Sequence, residues 1–373
     1  MAAALLKIAI QILLIWLLSA YVSGATNLRN SNFLLAALLV TPFFQTHGYS
    51  LYMGVIEKSP TYFFFYPLPL ALLLLFFLPF YLNLLNAKNK FWYLLLFVLT
   101  IILPFSGPLI PAVVLMVCPV FLFFYWKIND KIGLGKINYP LPAFPKPAIV
   151  VLILLLILSA YSFYLSRFNV ENSVSSVPLL KRYMSLFVGL YKQLTQKIGL
   201  PLLLAAILFN YWLINRKQES NNKRIKLIFR YVGLFSVAYL LLLPLGGHRI
   251  YRAYIVRHDS MMPVTLCMIF MFGVSSFYLI ENIYQKYKVK YVAGIAVVLF
   301  IFTIADLPNF DHNACEKRSL FELVNADQEM ILLEENCPVM AWGKITDPNN
   351  SWLNVQLLKY WNVVKGDRLY YQE

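Results

Sequence analysis

Between two strongly apolar segments, the stretch Gly246-Gly247-His248-Arg249-Ile250-Tyr251-Arg252-Ala253-Tyr254-Ile255-Val256-Arg257-His258-Asp259-Ser260 gathers three arginines, two histidines and one aspartate. Charges beside apolar spans are costly and need partners. Arginine presents planar, forked donors that match phosphate oxygens. Arg249, Arg252 and Arg257, with Tyr251 and Tyr254 between them, suit an anionic ligand such as a lipid-linked phosphate or pyrophosphate at a membrane surface. His258 and Asp259 add groups able to transfer or orient a proton. The same residues also permit a plainer arrangement, in which the arginines snorkel to lipid headgroups and Asp259 pairs with Arg257.

A second constellation lies in Gln45-Thr46-His47-Gly48-Tyr49 and Glu57-Lys58-Ser59-Pro60. Glu57 is suited to act as a base or as a metal ligand, and its alternative is an interfacial charge pair with Lys58. A divalent cation is thus the one cofactor the sequence leaves room for, and no residue pattern requires one. Glu171 and Asp306 are acids at span boundaries without supporting neighbours, and His312 beside Asp311 reads as solvent-facing.

The elements that must position these residues are membrane spans. The chain is 60% hydrophobic and 13% charged, against about 25% charged in a soluble domain. About ten apolar segments can be read, at 5–23, 32–45, 61–83, 91–106, 109–126, 147–165, 199–214, 228–246, 263–282 and 291–305. They lack the alternation of barrel strands, so they are expected to be helices. The second is short. Phe105-Ser106-Gly107-Pro108 signals a tight hairpin between the fourth and fifth. The expected fold is an all-α polytopic membrane helical bundle over residues 1–304, with a small α+β C-terminal tail over 305–373.

Loop charges give orientation. One alternate set of loops (24–31, 84–90, 127–146, 215–230, 283–290) carries 16 Lys and Arg, and the other (44–60, 106–108, 166–198, 246–262) carries 9. The first set is expected in the cytoplasm, which puts the 246–262 loop and the tail outside. Ten spans then put the N-terminus outside as well, so either one segment is miscounted or the chain corresponds to the later part of a longer architecture. Residues 1–23 lack a convincing small-x-small cleavage site and read as a retained helix. The style of the chain fits a bacterial inner (cytoplasmic) membrane.

Within 166–198, Leu180, Tyr183, Met184, Phe187 and Tyr191 have helical spacing, flanked by Lys181, Arg182, Lys192 and Lys197. This fits an interfacial amphipathic helix near 179–195, either covering a substrate or serving as a connector. The loop 127–146, with four prolines and two glycines between 133 and 147, reads as a structured connector.

The net charge of +15 is uneven: residues 1–304 hold 26 basic and 6 acidic residues, the tail 6 and 11. The basic residues fall in loops between spans, which points to topology and membrane lipids rather than nucleic acid. In the tail, 319–324 and 354–364 read as helices and 330–333 and 339–342 as strands. Its tryptophans (342, 352, 361) give it apolar surface to pack, with the bundle or a protein partner as candidates. Cys315 and Cys337 are either a disulfide or two free thiols, while Cys118 and Cys267 read as small core residues.

No phosphate-binding Walker loop, GxGxxG, HExxH or zinc-type cysteine pair is present. Acids are nearly absent from mid-span positions, which argues against an ion-coupled carrier but not against a flippase.

The layout resembles the polytopic GT-C glycosyltransferases. Many helices precede a soluble outer tail, an interfacial helix sits in an outer loop, and the late segment Arg249-Ile-Tyr-Arg252 to Arg257-His-Asp-Ser-Met-Met-Pro263 runs straight into a span. The resemblance is architectural and covers roughly residues 60–373. It implies inverting transfer from a polyprenyl-phosphate sugar, with the late arginines on the lipid phosphate and an acid in an early outer loop. Residues 24–31 hold no acid, so that role falls to Glu57 or Asp259. The other functions the sequence supports are a lipid-linked glycan flippase and a non-catalytic membrane component that binds a partner through its tail.

Overall fold

A computed structural model describes residues 2–45, 53, 55–56, 60–85, 89–129, 145–168, 177–216, 222–246, 254–305, 313–341 and 343–373. By chain contacts it divides into two units, 1–306 and 307–373.

The first unit is helical: α1 (Ala2–Ser23), α2 (Ser31–Val40), α3 (Pro60–Phe65), α4 (Pro67–Tyr81), α5 (Lys90–Ser106), α6 (Leu109–Asn129), α7 (Lys146–Leu165), α8 (Leu179–Thr195), α9 (Gly199–Arg216), α10 (Asn222–Leu242), α11 (His258–Asn282) and α12 (Gln285–Thr303). Among the described residues, six stretches are long and apolar enough to cross a membrane: 4–23, 62–81, 146–168, 199–216, 222–246 and 258–282. That fits a multi-pass helical membrane protein. The remaining apolar segments are shorter, at 31–44, 90–106 and 109–123, and α12 opens with Lys286, Lys288 and Lys290, which confine its apolar part to 291–303. Proline is tolerated inside α4, α5, α6 and α11 (Pro79, Pro104, Pro119 and Pro263), as expected where neighbouring helices re-satisfy freed backbone groups.

α11 is the central helix. Its span is 78% buried, against 17% for the span containing α10 and 28% for that containing α7. It packs against α1, α2, α9, α10 and α12. Small residues permit the closest approaches: a Cβ on Gly273 would lie 2.8 Å from Val22 Cγ2 of α1. Polar side chains bind α9, α11 and α12 together. The buried Asn210 amide donates to Ser275 Oγ and Ser276 Oγ, each at 2.9 Å, and accepts from the Tyr291 hydroxyl at 2.9 Å. A single interhelical hydrogen bond in a membrane contributes about 0.6–2 kcal/mol. Asn210→Leu is therefore expected to lower stability by about 1–3 kcal/mol, read as a drop in thermal unfolding midpoint in detergent.

Contacts sort the helix ends into two groups. At one end the Tyr21 and Tyr81 rings lie 4.8 Å apart, Arg224 hydrogen-bonds Tyr81, and Asn222 donates to Ile214 O (3.0 Å) and accepts from Tyr278. These residues adjoin loops 24–31, 84–90, 215–230 and 283–290. At the other end Gly107 lies against the Phe65 carbonyl, where a Cβ would come within 2.4 Å. There too the Tyr62 ring lies 5.3 Å from His258, and α8 bonds to residues 241 and 244. The 106–108 hairpin and the described residues flanking loops 44–60, 166–198 and 246–262 therefore lie at this second end.

The second unit contains α13 (Ala314–Asn325), α14 (Trp352–Tyr360) and two parallel strands, β1 (Met330–Leu332) paired with β2 (Leu369–Tyr371) in the register Ile331 to Tyr370. The strand expected over 339–342 is absent from the described residues: Met340 takes a left-handed conformation (φ 49°), so the chain bends there, and Val339 is buried without a ladder. The second strand comes from 369–371. The core holds Leu323, Ile331, Leu333, Val339, Val355, Leu358 and Tyr370. Tyr370 is fully buried; its hydroxyl donates to Val339 O at 2.7 Å and accepts from Asn354 Nδ2 at 2.9 Å. Cys315 and Cys337 form a disulfide, with Cα atoms 6.3 Å apart. Arg318 donates to Glu335, which holds that carboxyl below the usual carboxylate range. Arg368 Nη1 reaches the carbonyls of Leu323 and Val324 at the end of α13, where cations complement the helix dipole.

Candidate anion site at one end of the bundle

The described part of the 246–262 loop enters α11 through a tight cap. Arg257 is the N-cap residue, and its backbone N–H donates to Ser260 Oγ at 2.9 Å. Ser260 Oγ donates in turn to Ile255 O at 2.8 Å. The Tyr239 hydroxyl of α10 donates to Ser260 O at 3.1 Å. The serine three residues beyond the cap satisfies a donor that would otherwise be orphaned. The result is a fixed Arg257 backbone on the most buried helix of the bundle.

Arg257 Nη2 donates to Asp259 Oδ2, and Asp259 Oδ1 accepts the Ser260 N–H at 2.7 Å. The Asp259 side chain is 1% exposed and that of Arg257 20%. Both carboxylate oxygens are thus engaged within this turn. Asp259 is placed to hold and orient the guanidinium. Arginine carries five donors, so the fork keeps further N–H groups beyond the one given to Asp259. His258, the first residue of α11, lies with its ring 5.3 Å from that of Tyr62, which in turn stacks on Tyr66 at 5.5 Å.

α8 lies across this region. Its buried face is Leu186, Gly189 and Gln193. Gly189 sits against the 254–256 segment: a Cβ there would be 3.0 Å from Val256 Cβ and 3.5 Å from Tyr254 Cβ, so the close approach favours glycine. Arg182 Nε and Nη1 donate to Val177 O (2.8 Å) and Pro244 O (3.3 Å), and the Tyr183 hydroxyl donates to Leu241 O at 3.1 Å. Lys192 Nζ donates to the Tyr254 hydroxyl and lies over the same ring, 4.4 Å from its centroid. The opposite face exposes Leu180, Met184, Phe187 and Tyr191. An exposed apolar stripe on a helix tied to a membrane bundle is the pattern of an interfacial helix.

Of the residues singled out in the sequence, Tyr254, Arg257, His258 and Asp259 meet here. Arg249, Arg252, Tyr251, His47 and Glu57 lie outside the described residues. Sequence reasoning missed Lys192 and Gln193 as members of the site, taking Lys192 only as a flank of the apolar stripe. Gln193 is 2% exposed, and neither end of its amide has a hydrogen-bond partner among the described residues. A buried, unsatisfied amide costs about 1–3 kcal/mol. A glutamine on an otherwise apolar, small-residue face was the available signal. Among the described residues no three His, Cys, Asp or Glu side chains group so as to hold a metal.

Chemically, two cations stand on elements that pack together, Lys192 of α8 bonded to the Tyr254 phenol and Arg257 of the α11 cap bonded to Asp259, and Gln193, next to Lys192 in the chain, brings a buried amide in need of a partner. Comparison with protein-family models, with curated proteins and with solved structures finds no match.

Proposed function

We propose that this protein binds a polyprenyl-phosphate sugar at the end of the bundle where α8 meets the α11 cap, and that it transfers the sugar by inverting GT-C-type chemistry during surface glycan assembly. The observation that carries the proposal is that α8, with Lys192 bonded to Tyr254, packs on the short segment leading into the α11 cap, where Asp259 holds Arg257; in this reading a lipid-linked phosphate reaches that place from the bilayer. Arg257, with Arg249 and Arg252, takes the phosphate; Lys192 and Tyr254 add donors to it. Charge-assisted bonds of this kind are the strong class. Asp259 keeps Arg257 aimed. The base that activates the acceptor hydroxyl is then Glu57, which leads in sequence into α3 and Tyr62.

In this reading the bundle crosses a bacterial cytoplasmic membrane about ten times, with the site and the tail outside. The set of loops with 9 rather than 16 basic residues includes 166–198 and 246–262, which carry Lys192 and Arg257. A disulfide in the tail fits an oxidising compartment. Exposed Phe321, Trp352, Tyr360 and Trp361 offer the tail a surface for a protein partner.

A second reading, a binder or flippase of lipid-linked glycans without transfer chemistry, is favoured by the engagement of both Asp259 oxygens within its own turn. Reconstituted protein given polyprenyl-phosphate mannose or glucose with the membrane's own acceptors separates the two. Transfer predicts release of free polyprenyl phosphate, reduced about 10²–10⁴-fold in Glu57→Gln with lipid binding intact. Binding without release from either protein would put the second reading in its place.

A further inference from the structure

At the other end of the bundle, α9, α10 and α11 leave a groove of about 530 Å³ that opens sideways, within the size range of small-molecule sites. Its walls are apolar, with Leu204, Leu208, Phe229 and Met271 among them, and Lys226 and Arg230 stand on one side. Gly233 continues the same face of α10, and a Cβ there would meet nothing within 4 Å. The groove faces the bilayer, since the α10 span is only 17% buried and the α9 span 39%.

The two cations are the unexplained feature. Lys226 and Arg230 are four residues apart, so they stack on one helix face and repel. Neither has an ion pair or hydrogen bond among the described residues. Arg230 lies where the apolar part of the span has begun, so its charge needs an anion or a route to the interface. A like-charged pair at the mouth of an apolar, lipid-facing groove is relieved by one anion placed between them, on a molecule whose other end is hydrocarbon.

We propose that this groove is a binding site for an anionic glycerophospholipid of the leaflet at that end, with its phosphate between Lys226 and Arg230 and one acyl chain along Leu204, Leu208 and Met271. The site is separate from the one at the α11 cap. Tyr239, which serves that cap, is about 20 Å further along α10 than Lys226 and about 14 Å further than Arg230 at 1.5 Å per residue. The proposal therefore does not rest on the glycan reading.

The test compares thermal unfolding of the full-length protein in neutral detergent with added phosphatidylglycerol, phosphatidylcholine or inorganic phosphate. Native mass spectrometry reads lipid that stays bound. Phosphatidylglycerol is expected to raise the midpoint by several degrees and to remain bound, while the other two do neither. Lys226→Gln/Arg230→Gln should lose this difference through charge. Gly233→Leu should lose it through volume, because the leucine grows into the groove without a clash. Polyprenyl phosphate binding should survive in both variants. Equal stabilisation by phosphatidylcholine, the full effect from inorganic phosphate alone, or a phosphatidylglycerol effect unchanged in both variants would overturn the proposal.

Discussion

Replacing Arg257 by alanine is expected to destabilise the protein by about 3–5 kcal/mol, because it leaves the Asp259 carboxylate buried without its cation. A surface arginine would cost well under 1 kcal/mol; burial of the pair makes the difference. The two roles assigned to this arginine, closing a buried ion pair and holding a phosphate, can be separated. Arg257→Met/Asp259→Leu removes both charges together, and replacing a buried pair by apolar groups of similar volume is often neutral or stabilising. The double variant is expected to unfold within about 1 kcal/mol of wild type and still fail to bind polyprenyl phosphate. Chemical unfolding in detergent and a lipid-binding titration read the two quantities. A single alanine variant as stable as wild type would mean that the pair is not closed in the folded protein. A double variant that binds normally would remove Arg257 from the phosphate site.

The second large effect is expected in the tail. The Cys315–Cys337 bridge spans 22 residues and ties α13 to the segment that carries the buried Val339. Restricting the unfolded chain over a loop of that length contributes about 3 kcal/mol. The unit it stabilises has a small core, and small cores leave little surplus. Cys315→Ala/Cys337→Ala is therefore expected to make the tail of the full-length protein cleavable under limited proteolysis, while the helical unit stays intact. The same cleavage is expected of wild type in reductant. Equal protease resistance with and without the bridge would show that the core around Tyr370 holds the tail unaided.

Hydrophobic run length made the helices legible in the sequence, and the hairpin at Gly107 was legible from its turn residues. The helix near 179–195 was visible as a stripe, but the stripe marks its exposed face. The face that meets the site, Leu186, Gly189 and Gln193, carries no strong pattern, because close packing selects a small residue rather than an apolar run. Asp259 shows the same limit: a sequence offers a carboxylate two residues from an arginine, and only the turn of α11 decides that they pair. In the tail, Val339-Met340-Ala341 has the composition of a strand, but the left-handed Met340 turns the chain, and a parallel partner 39 residues away from Ile331 was supplied instead by Leu369–Tyr371. Parallel pairing leaves no local turn signal to read.

The most direct test of the account is native mass spectrometry of the detergent-purified protein for lipids that co-purify, comparing wild type with Arg249→Ala/Arg252→Ala/Arg257→Ala. A bound polyprenyl phosphate that disappears in the triple variant, with ordinary phospholipids retained by both, is the predicted result. Ordinary phospholipids alone, equal in both proteins, would contradict it and reduce the arginine loop to a headgroup anchor.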